Sequence, residues 1–329
     1  MGLYGRRLGP AVERLSAELR DDGGATASSG EFFRSSGFLA AEGVTHSLLI
    51  QGSSAASVAV PVIVRQVEDS ALVDAISPYG YPGGEVGAGG SPDPATVDWS
   101  AAGLVSLFVR ERLSGPHCFT GARARSTVLV HDPALPARTR RRFASQVRGN
   151  ERRGLAVEAH RGPQTDAAQR AAFHAAYTQT MRRAEAASRY LYEPAYFDAI
   201  LATDATWLVL AAEPGRGACA DAIVVRSDGM LHYYLGGTSD AGLPGSPFKS
   251  VVVRMRELAV AADVPLNLGG GVLPGDGLES FKRGFANAEL TFHTDEVICD
   301  PREYERLAAR PIERGGADAA FFPAYRAPG

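Results

Sequence analysis

Cysteine is scarce and scattered in this 329-residue chain: Cys118, Cys219 and Cys299 lie far apart, with no CxxC and no Cys/His pairing. That spacing supports neither a disulfide framework nor a zinc knuckle, and the three read as reduced thiols of a cytoplasmic protein, not as ligands. The seven histidines are equally dispersed, and no HExxH occurs. His293 and Glu296 stand three apart in a strand-like run, where that spacing puts them on opposite faces. No metal is expected. Long apolar runs are missing too, since none approaches the ~20 residues that span a bilayer. The opening MGLYGRRLGPAVERLSAEL has no apolar core and reads as an amphipathic helix over Ala11–Arg20, not a signal peptide. A net charge of −3 excludes a uniformly basic nucleic-acid coat but leaves room for a local patch. No short repeat period is visible, which excludes a solenoid. No Ser-His-Asp or Cys-His arrangement can be read from the chain.

What is present is ordinary for a globular protein: 45% hydrophobic residues and 22% charged ones. The length calls for two domains or two packed halves. In the first half, strands are expected at His46–Gln51, Val58–Gln66, Ala71–Ile76, Val105–Arg110 and Ser126–Val130. A helix is expected near Ala95–Gly103, and the loop Ser77-Pro78-Tyr79-Gly80-Tyr81-Pro82-Gly83-Gly84 is a turn-rich surface segment. An arginine-rich helix over Pro136–Arg153 leads to a strand at Leu155–Ala159.

The second half repeats this grammar. A long helix over Gln164–Ala187, with Ala168, Ala171, Ala172, Ala175 and Thr178 on one stripe, precedes a short one at Pro194–Ala202. Strands at Thr206–Ala212, Ala218–Arg226 and Met230–Leu235 form an antiparallel meander. A helix at Pro247–Ala262, a strand at Pro265–Leu268, the Lys282 segment, a strand at Glu289–Ile298 and a helix at Pro301–Ala309 complete it. Helices, meander, helix, strand, helix and strand, run through about twice, are the element order of the GNAT acyltransferase fold. The expected class is α/β (α+β): two GNAT-like domains, each a mixed, mostly antiparallel sheet flanked by helices. Their expected extents are 1–145, completed by 310–329, and 146–309.

Two segments carry chemistry. Gly269-Gly270-Gly271 ends a strand and allows close backbone approach. Downstream, Leu278, Phe281 and Phe285 share one helical face, and Lys282 points elsewhere, toward the space the glycines open. A cation held there can meet developing oxyanion charge in acyl transfer; a solvated lysine on a packed helix also fits the spacing. The second segment holds seven arginines between Arg138 and Arg153. Arg138, Arg141, Ser145, Arg148 and Arg152 follow one helical stripe, able to track a phosphate backbone or simply to face solvent.

With these residues in hand, the chain resembles the FemABX family, whose members carry two GNAT-like domains and transfer an amino acid from aminoacyl-tRNA to an amine. The likeness rests on Thr180-Met181-Arg182-Arg183 with Ser188-Arg189 and Tyr190, Tyr192, Tyr196 and Phe197, and on Gly269–Gly271 with Phe281-Lys282 and Phe285, then Asp300, Tyr304 and Leu307. Arg148, Arg152 and Arg153 resemble the basic helix opening the second domain. The resemblance implies that Lys282 meets the aminoacyl end and helps stabilise the reacting ester. It implies that Arg189 grips a diphosphate in members acting on UDP-linked acceptors; an ion pair with Glu185, four residues earlier, is the structural alternative. Phe281, Gly270 and Gly271 join the substrate site, and Arg141, Arg148, Arg152 and Arg153 the tRNA site. Aminoacyl-tRNA is the co-substrate, no cofactor is implied, and a monomer is the default.

Departures from the family pattern shape the acceptor. Where peptidoglycan-building members carry lysines, Phe33-Arg34-Ser35-Ser36-Gly37-Phe38-Leu39-Ala40-Ala41-Glu42 has none and ends acidic. Ser77-Pro78-Tyr79-Gly80-Tyr81 likewise lacks a family cation. Each lost charge-assisted bond to a diphosphate is worth roughly 1.5–3 kcal/mol. Tyr79 and Tyr81 therefore suit a less charged acceptor, a small peptide or a peptidyl antibiotic intermediate. No general base can be assigned; Asp240, Glu185 and Asp276 are candidates by position only. Two other functions remain open: an acyl-CoA-dependent GNAT N-acyltransferase and a non-catalytic tRNA- or peptide-binding module. Against the first, Gly236–Ser246 places Asp240 and Pro244 where a pyrophosphate cradle would need amides.

Overall fold

The structure, a computed structural model, describes residues 15–52, 56–68, 70–215, 217–309 and 321–327. In chain order its elements are β1 (Leu15–Arg20), α1 (Ser36–Ala41), β2 (His46–Gln51), β3 (Ala56–Gln66), β4 (Val73–Ile76), β5 (Glu85–Val86), β6 (Val97–Asp98), β7 (Leu104–Arg110) and β8 (Arg123–His131). Then follow α2 (Arg141–Arg152), β9 (Ala156–Arg161), α3 (Ala167–Arg183), α4 (Pro194–Leu201), β10 (Thr206–Glu213), β11 (Gly217–Ser227) and β12 (Met230–Thr238). The last are α5 (Phe248–Ala262), β13 (Leu266–Gly269), α6 (Gly277–Arg283), β14 (Ala288–Ile298) and α7 (Pro301–Ala308).

Among the described residues, all fourteen strands join one sheet in the order β6-β1-β2-β3-β4-β7-β14-β8-β13-β12-β11-β10-β9, with β5 on β3. The halves interleave: β14 lies between two first-half strands, paired antiparallel with β7 from Thr294↔Arg110 to Ile298↔Ser106 and with β8 on its other edge, and β8 in turn pairs with β13. The meander β10–β11–β12 is antiparallel, as expected. Parallel pairing of β12 with β13 is confined to Leu231↔Leu266 and His232↔Asn267. Beyond His232, β12 runs on from β13, and the two strands part.

Both faces of the second-half sheet are covered. Alternation along β11 sends Ala220, Ala222 and Val224 into a core with α5, and Ile223 and Val225 into a core under α3 and α4. The latter also receives Phe32, Phe33, Phe38 and Leu39 from the first half. Arg34, buried beside these rings, reaches Asp228 at 2.6 Å, Glu85 at 2.7 Å and the Pro82 carbonyl at 2.6 Å. It is therefore a joint between the halves. Phe322 stacks on Phe108 and Tyr304.

Several sequence expectations are corrected. Within the helix expected over Ala11–Arg20, Leu15–Arg20 is the strand β1, paired with β2 from Ser16↔Gln51 to Arg20↔Ser47; Ala11–Arg14 lie outside the described residues, as do 310–320 and 328–329 of the closing segment. The pairing partner overrides helix propensity here, and the period-2 burial of Ala17 was available in the pattern. The helix expected near Ala95–Gly103 is a single 3-10 turn at Pro94–Thr96, followed by β6 and a turn ending at Gly103 with φ of 63°. The arginine helix begins only at Arg141, so Arg138 is not on its stripe. The alanine stripe of α3 faces mostly outward; Phe173, Ala176 and Tyr177 form its buried face. On α6, Leu278 is 42% exposed and does not share the buried face of Phe285.

Candidate functional site

The glycine loop and Lys282 come together as the spacing implied. Asp276 caps α6, taking the Glu279 N–H at 2.7 Å and the loop amides of Val272 and Leu273 at 2.7 and 3.0 Å. With the helix start fixed, Lys282 Nζ donates to the Gly270 carbonyl at 2.8 Å and lies 5.6 Å from the Tyr233 ring centroid. It thus bridges the end of β13 and the part of β12 that no longer pairs with it. A Cβ on Gly270 would sit 2.8 Å from the Thr127 carbonyl, and one on Gly271 2.5 Å from Asp276 Oδ1. Gly269 has φ of +77° and would crowd Nζ at 3.0 Å. The three glycines are what let this cation reach backbone.

Lys282 is only 9% exposed, more enclosed than a cleft-surface position would be. Desolvation pulls its ammonium down to about 8, against an opposing pull from Asp276. Of the chain's 34 basic residues, Lys249 and Lys282 alone are lysines. Both sit here. Lys249 Nζ lies 5.1 Å from the ring of Phe143 and 5.7 Å from that of Phe281, and its pKa is lowered by burial and by Arg142. Phe281 itself packs on Phe285, Phe143 and Phe248 at 5.6, 5.7 and 6.1 Å, so it is a wall, not a reactive group. The confinement of lysine to this spot was a sequence signal left unused.

The expected tyrosines form an aromatic wall on the loop side. Tyr81 packs against His232 and Phe292, both at 5.3 Å, and its hydroxyl is hydrogen-bonded to the Asn267 side chain. Asn267 also accepts the Gly269 N–H at 2.7 Å and meets His232 Nδ1 at 3.2 Å, so one amide ties Tyr81 to the glycine loop. Burial pushes His232 down to about 4 and keeps it neutral. Tyr79, 38% exposed, packs against Tyr190 and Tyr234 at 6.2 and 6.0 Å. Although the residue is partly exposed, the loss of solvent around its hydroxyl, with Tyr81 and Tyr190 beside it, raises that group to about 12.

Glu42 is the hub of this wall and was missed as a site residue. It accepts the Tyr196 hydroxyl at 2.6 Å, the Tyr234 hydroxyl at 3.2 Å and the Tyr79 N–H at 3.0 Å. The acidic end of the Phe33–Glu42 stretch was its only local signal. The three positional candidates have other work: Asp276 caps α6, Asp240 pairs with Arg183, and Glu185 occupies a left-handed turn at φ 49°. Because α3 ends at Arg183, Glu185 and Arg189 do not share a helix. The Arg189 guanidinium lies over the Tyr190 ring at 4.9 Å, at the exposed rim of the tyrosine wall. Thr180 of the same segment ties α3 to β12, accepting the Thr238 N–H at 2.8 Å.

Arg141, Arg148 and Arg152 lie exposed along the outer face of α2, whose inner face is Phe143, Val147 and Asn150. Phe143 packs on Phe285 at 5.2 Å, which fixes the basic stripe next to α6. Arg153 is different: it bonds Asn150 and the Gly245 carbonyl just past the end of α2.

No protein-family model and no curated protein matches this chain. Among solved structures, FemX aligns with a TM-score of 0.55 at 11% identity, over 79% of this chain and 89% of that one. This chain has the fold of FemX. L-PGS from Bacillus licheniformis is similar at a TM-score of 0.53 and 9% identity, covering 80% of this chain and 87% of its own. The α/β fold expected from the element order is thereby the fold shared with these two proteins, and the likeness is one of fold. Among the described residues, no helix is long and apolar enough to cross a membrane.

Proposed function

We propose that this chain is an aminoacyltransferase that takes the aminoacyl group of a charged tRNA and joins it by a peptide bond to an amine of a small peptide or peptidyl antibiotic intermediate. The observation carrying this reading is the desolvated ammonium of Lys282, aimed at backbone between parted strands, with α2 and its exposed arginines packed through Phe143 on Phe281 and Phe285. An aminoacyl ester is already activated. The acceptor nitrogen attacks the ester carbonyl, the C–N bond forms, the C–O bond to ribose breaks, and the ribose oxygen leaves with a proton. Lys282 meets the oxyanion that develops between these events. Arg141, Arg148 and Arg152 supply phosphate contacts. On the loop side, Glu42 within its tyrosine wall holds the acceptor as its ammonium, one proton passes to solvent to leave the neutral amine that attacks, and positioning of the two substrates supplies much of the rate.

Acyl-CoA is the poorer donor for this geometry. The turn that would cradle its pyrophosphate has its amides engaged: Thr238 N–H on Thr180, Asp240 N–H on Gln179 at 2.8 Å, and Gly242 N–H on the Ser239 carbonyl at 3.0 Å. The test offers the purified protein mixed charged tRNAs and acyl-CoAs with amine acceptors and follows label transfer with and without ribonuclease. Ribonuclease-sensitive transfer supports the reading. Ribonuclease-resistant transfer from a CoA ester overturns it.

A further inference from the structure

Away from the tyrosine wall, the sheet closes over a second chemical cluster. Glu111, just past β7, Cys118, in the loop before β8, and Asp295, on β14, have ligand atoms all within 4.8 Å of one another. Glu111 and Cys118 are fully buried and Asp295 is 3% exposed. Two successive amides of the loop hold the carboxylates in place. The Cys118 N–H donates to Glu111 Oε1 at 2.9 Å, and the Phe119 N–H bonds the Asp295 carboxylate. Glu111 Oε2 and Asp295 Oδ2 are buried with no N–H donor; the groups that face Glu111 are the Cys118 thiol and the Asp295 carboxyl, which bonds it when protonated. Ionised carboxylate oxygens so placed cost several kcal/mol each unless a cation or a proton joins them. Arg112, in the same loop, is turned to Asp228 at 3.6 Å.

We propose that Glu111, Cys118 and Asp295 form a zinc site. Two carboxylate oxygens and a thiolate are donors that Zn²⁺ accepts and that Mg²⁺ and Ca²⁺ do not match, because thiolate is too soft for them. A span of 4.8 Å closes with small shifts around an ion held by bonds of about 2.0–2.3 Å. Binding displaces the thiol proton of Cys118 and any proton shared by the carboxyls, so the ion enters as protons leave. Glycines clear the approach of the Tyr79–Tyr81 loop to this cluster. A Cβ on Gly84 would lie 2.9 Å from Cys118 Sγ, and one on Gly83, at φ +50°, 3.3 Å from Glu111 Oε2. The ion would therefore brace, from behind, the loop that carries the tyrosine wall.

The full chain is stripped with a chelator, titrated with Zn²⁺ by calorimetry, and separately loaded with Co²⁺. Expected are one ion per chain, a higher unfolding midpoint with Zn²⁺, and a thiolate-to-cobalt charge-transfer band. The band should vanish in Cys118→Ala and persist in a Cys219→Ala/Cys299→Ala variant. If Cys118→Ala does not fold, calorimetry and the band in the unsubstituted chain still decide. Absence of stoichiometric Zn²⁺ binding there, or a band surviving Cys118→Ala, overturns the site and leaves a carboxyl pair sharing a proton. No substrate enters these measurements, so they stand apart from the fate of the transferase reading.

Discussion

Burial pulls the ammonium of Lys282 down to about 8, so the folded chain binds that proton more weakly than the unfolded chain does. Between about pH 8 and the ordinary lysine range, the unfolded state therefore holds more protons and stability rises with pH. Below pH 8 the full cost applies, about 3 kcal/mol. Lys282→Met should then lower transfer by about 10²–10³-fold while raising the unfolding midpoint at pH 7, and the gain should shrink as pH climbs toward 10. Rate assays paired with thermal melts at several pH values check both halves; near-normal transfer would remove Lys282 from the chemistry. The unsubstituted enzyme should itself lose activity above about pH 8 as the ammonium deprotonates. An arginine could not be tuned in this way, since its charge persists even when buried. Glu42→Gln belongs to the same scale. It puts an amide donor against the Tyr79 N–H or the tyrosine hydroxyls, and should raise the KM for the acceptor about tenfold with the KM for tRNA unchanged. A shift in the tRNA constant alone would contradict the assigned role.

At the scale of elements, what could be read from sequence was what is local. The glycine loop and α6 lie within a few residues of one another, so spacing alone brought Lys282 to Gly270. Glu42 could not be found this way, because its partner Tyr196 lies 154 residues away and meets it only when α1 docks on α4. Asn267, the tie between Tyr81 and Gly269, looks like any strand polar residue until β13 is laid beside β12. Strand β1 was misread for the same reason, its partner β2 being remote. The basic face of α2 was legible by period, though its first turn was placed too early. Arg148→Glu with Arg152→Glu tests it. Neither side chain packs inward, so the fold should hold. The KM for charged tRNA should rise and the slope of log affinity against log salt flatten by roughly 2. Filter-binding across a salt series reads this directly, and an unaltered slope would return the stripe to the role of a solvated face.

Across the whole molecule, the two halves share a sheet and a core, and one buried cation pins them. Arg34 reaches from the first half into the β11–β12 hairpin through Asp228, and holds the Tyr79–Tyr81 loop through the Pro82 carbonyl. The one cation of the Phe33–Glu42 stretch is thus consumed by structure. Arg34→Met would leave the Asp228 carboxylate with Arg112 at 3.6 Å and the Ser227 hydroxyl at 2.9 Å, and the Pro82 carbonyl without that donor. Breaking a buried pair from one side typically costs about 3–5 kcal/mol; with Arg112 still in place, the lower end is expected. Asp228→Asn in the same chain should recover part of the loss, because the stranded charge is then gone. The acceptor KM should rise as the loop loosens, while tRNA affinity, which the proposed function assigns to α2, should not move. Denaturation of the two single variants and the double, combined with both Michaelis constants, separates these effects. Equal changes in both constants would mean that the halves act as one body, and that Arg34 secures the fold without positioning the acceptor wall.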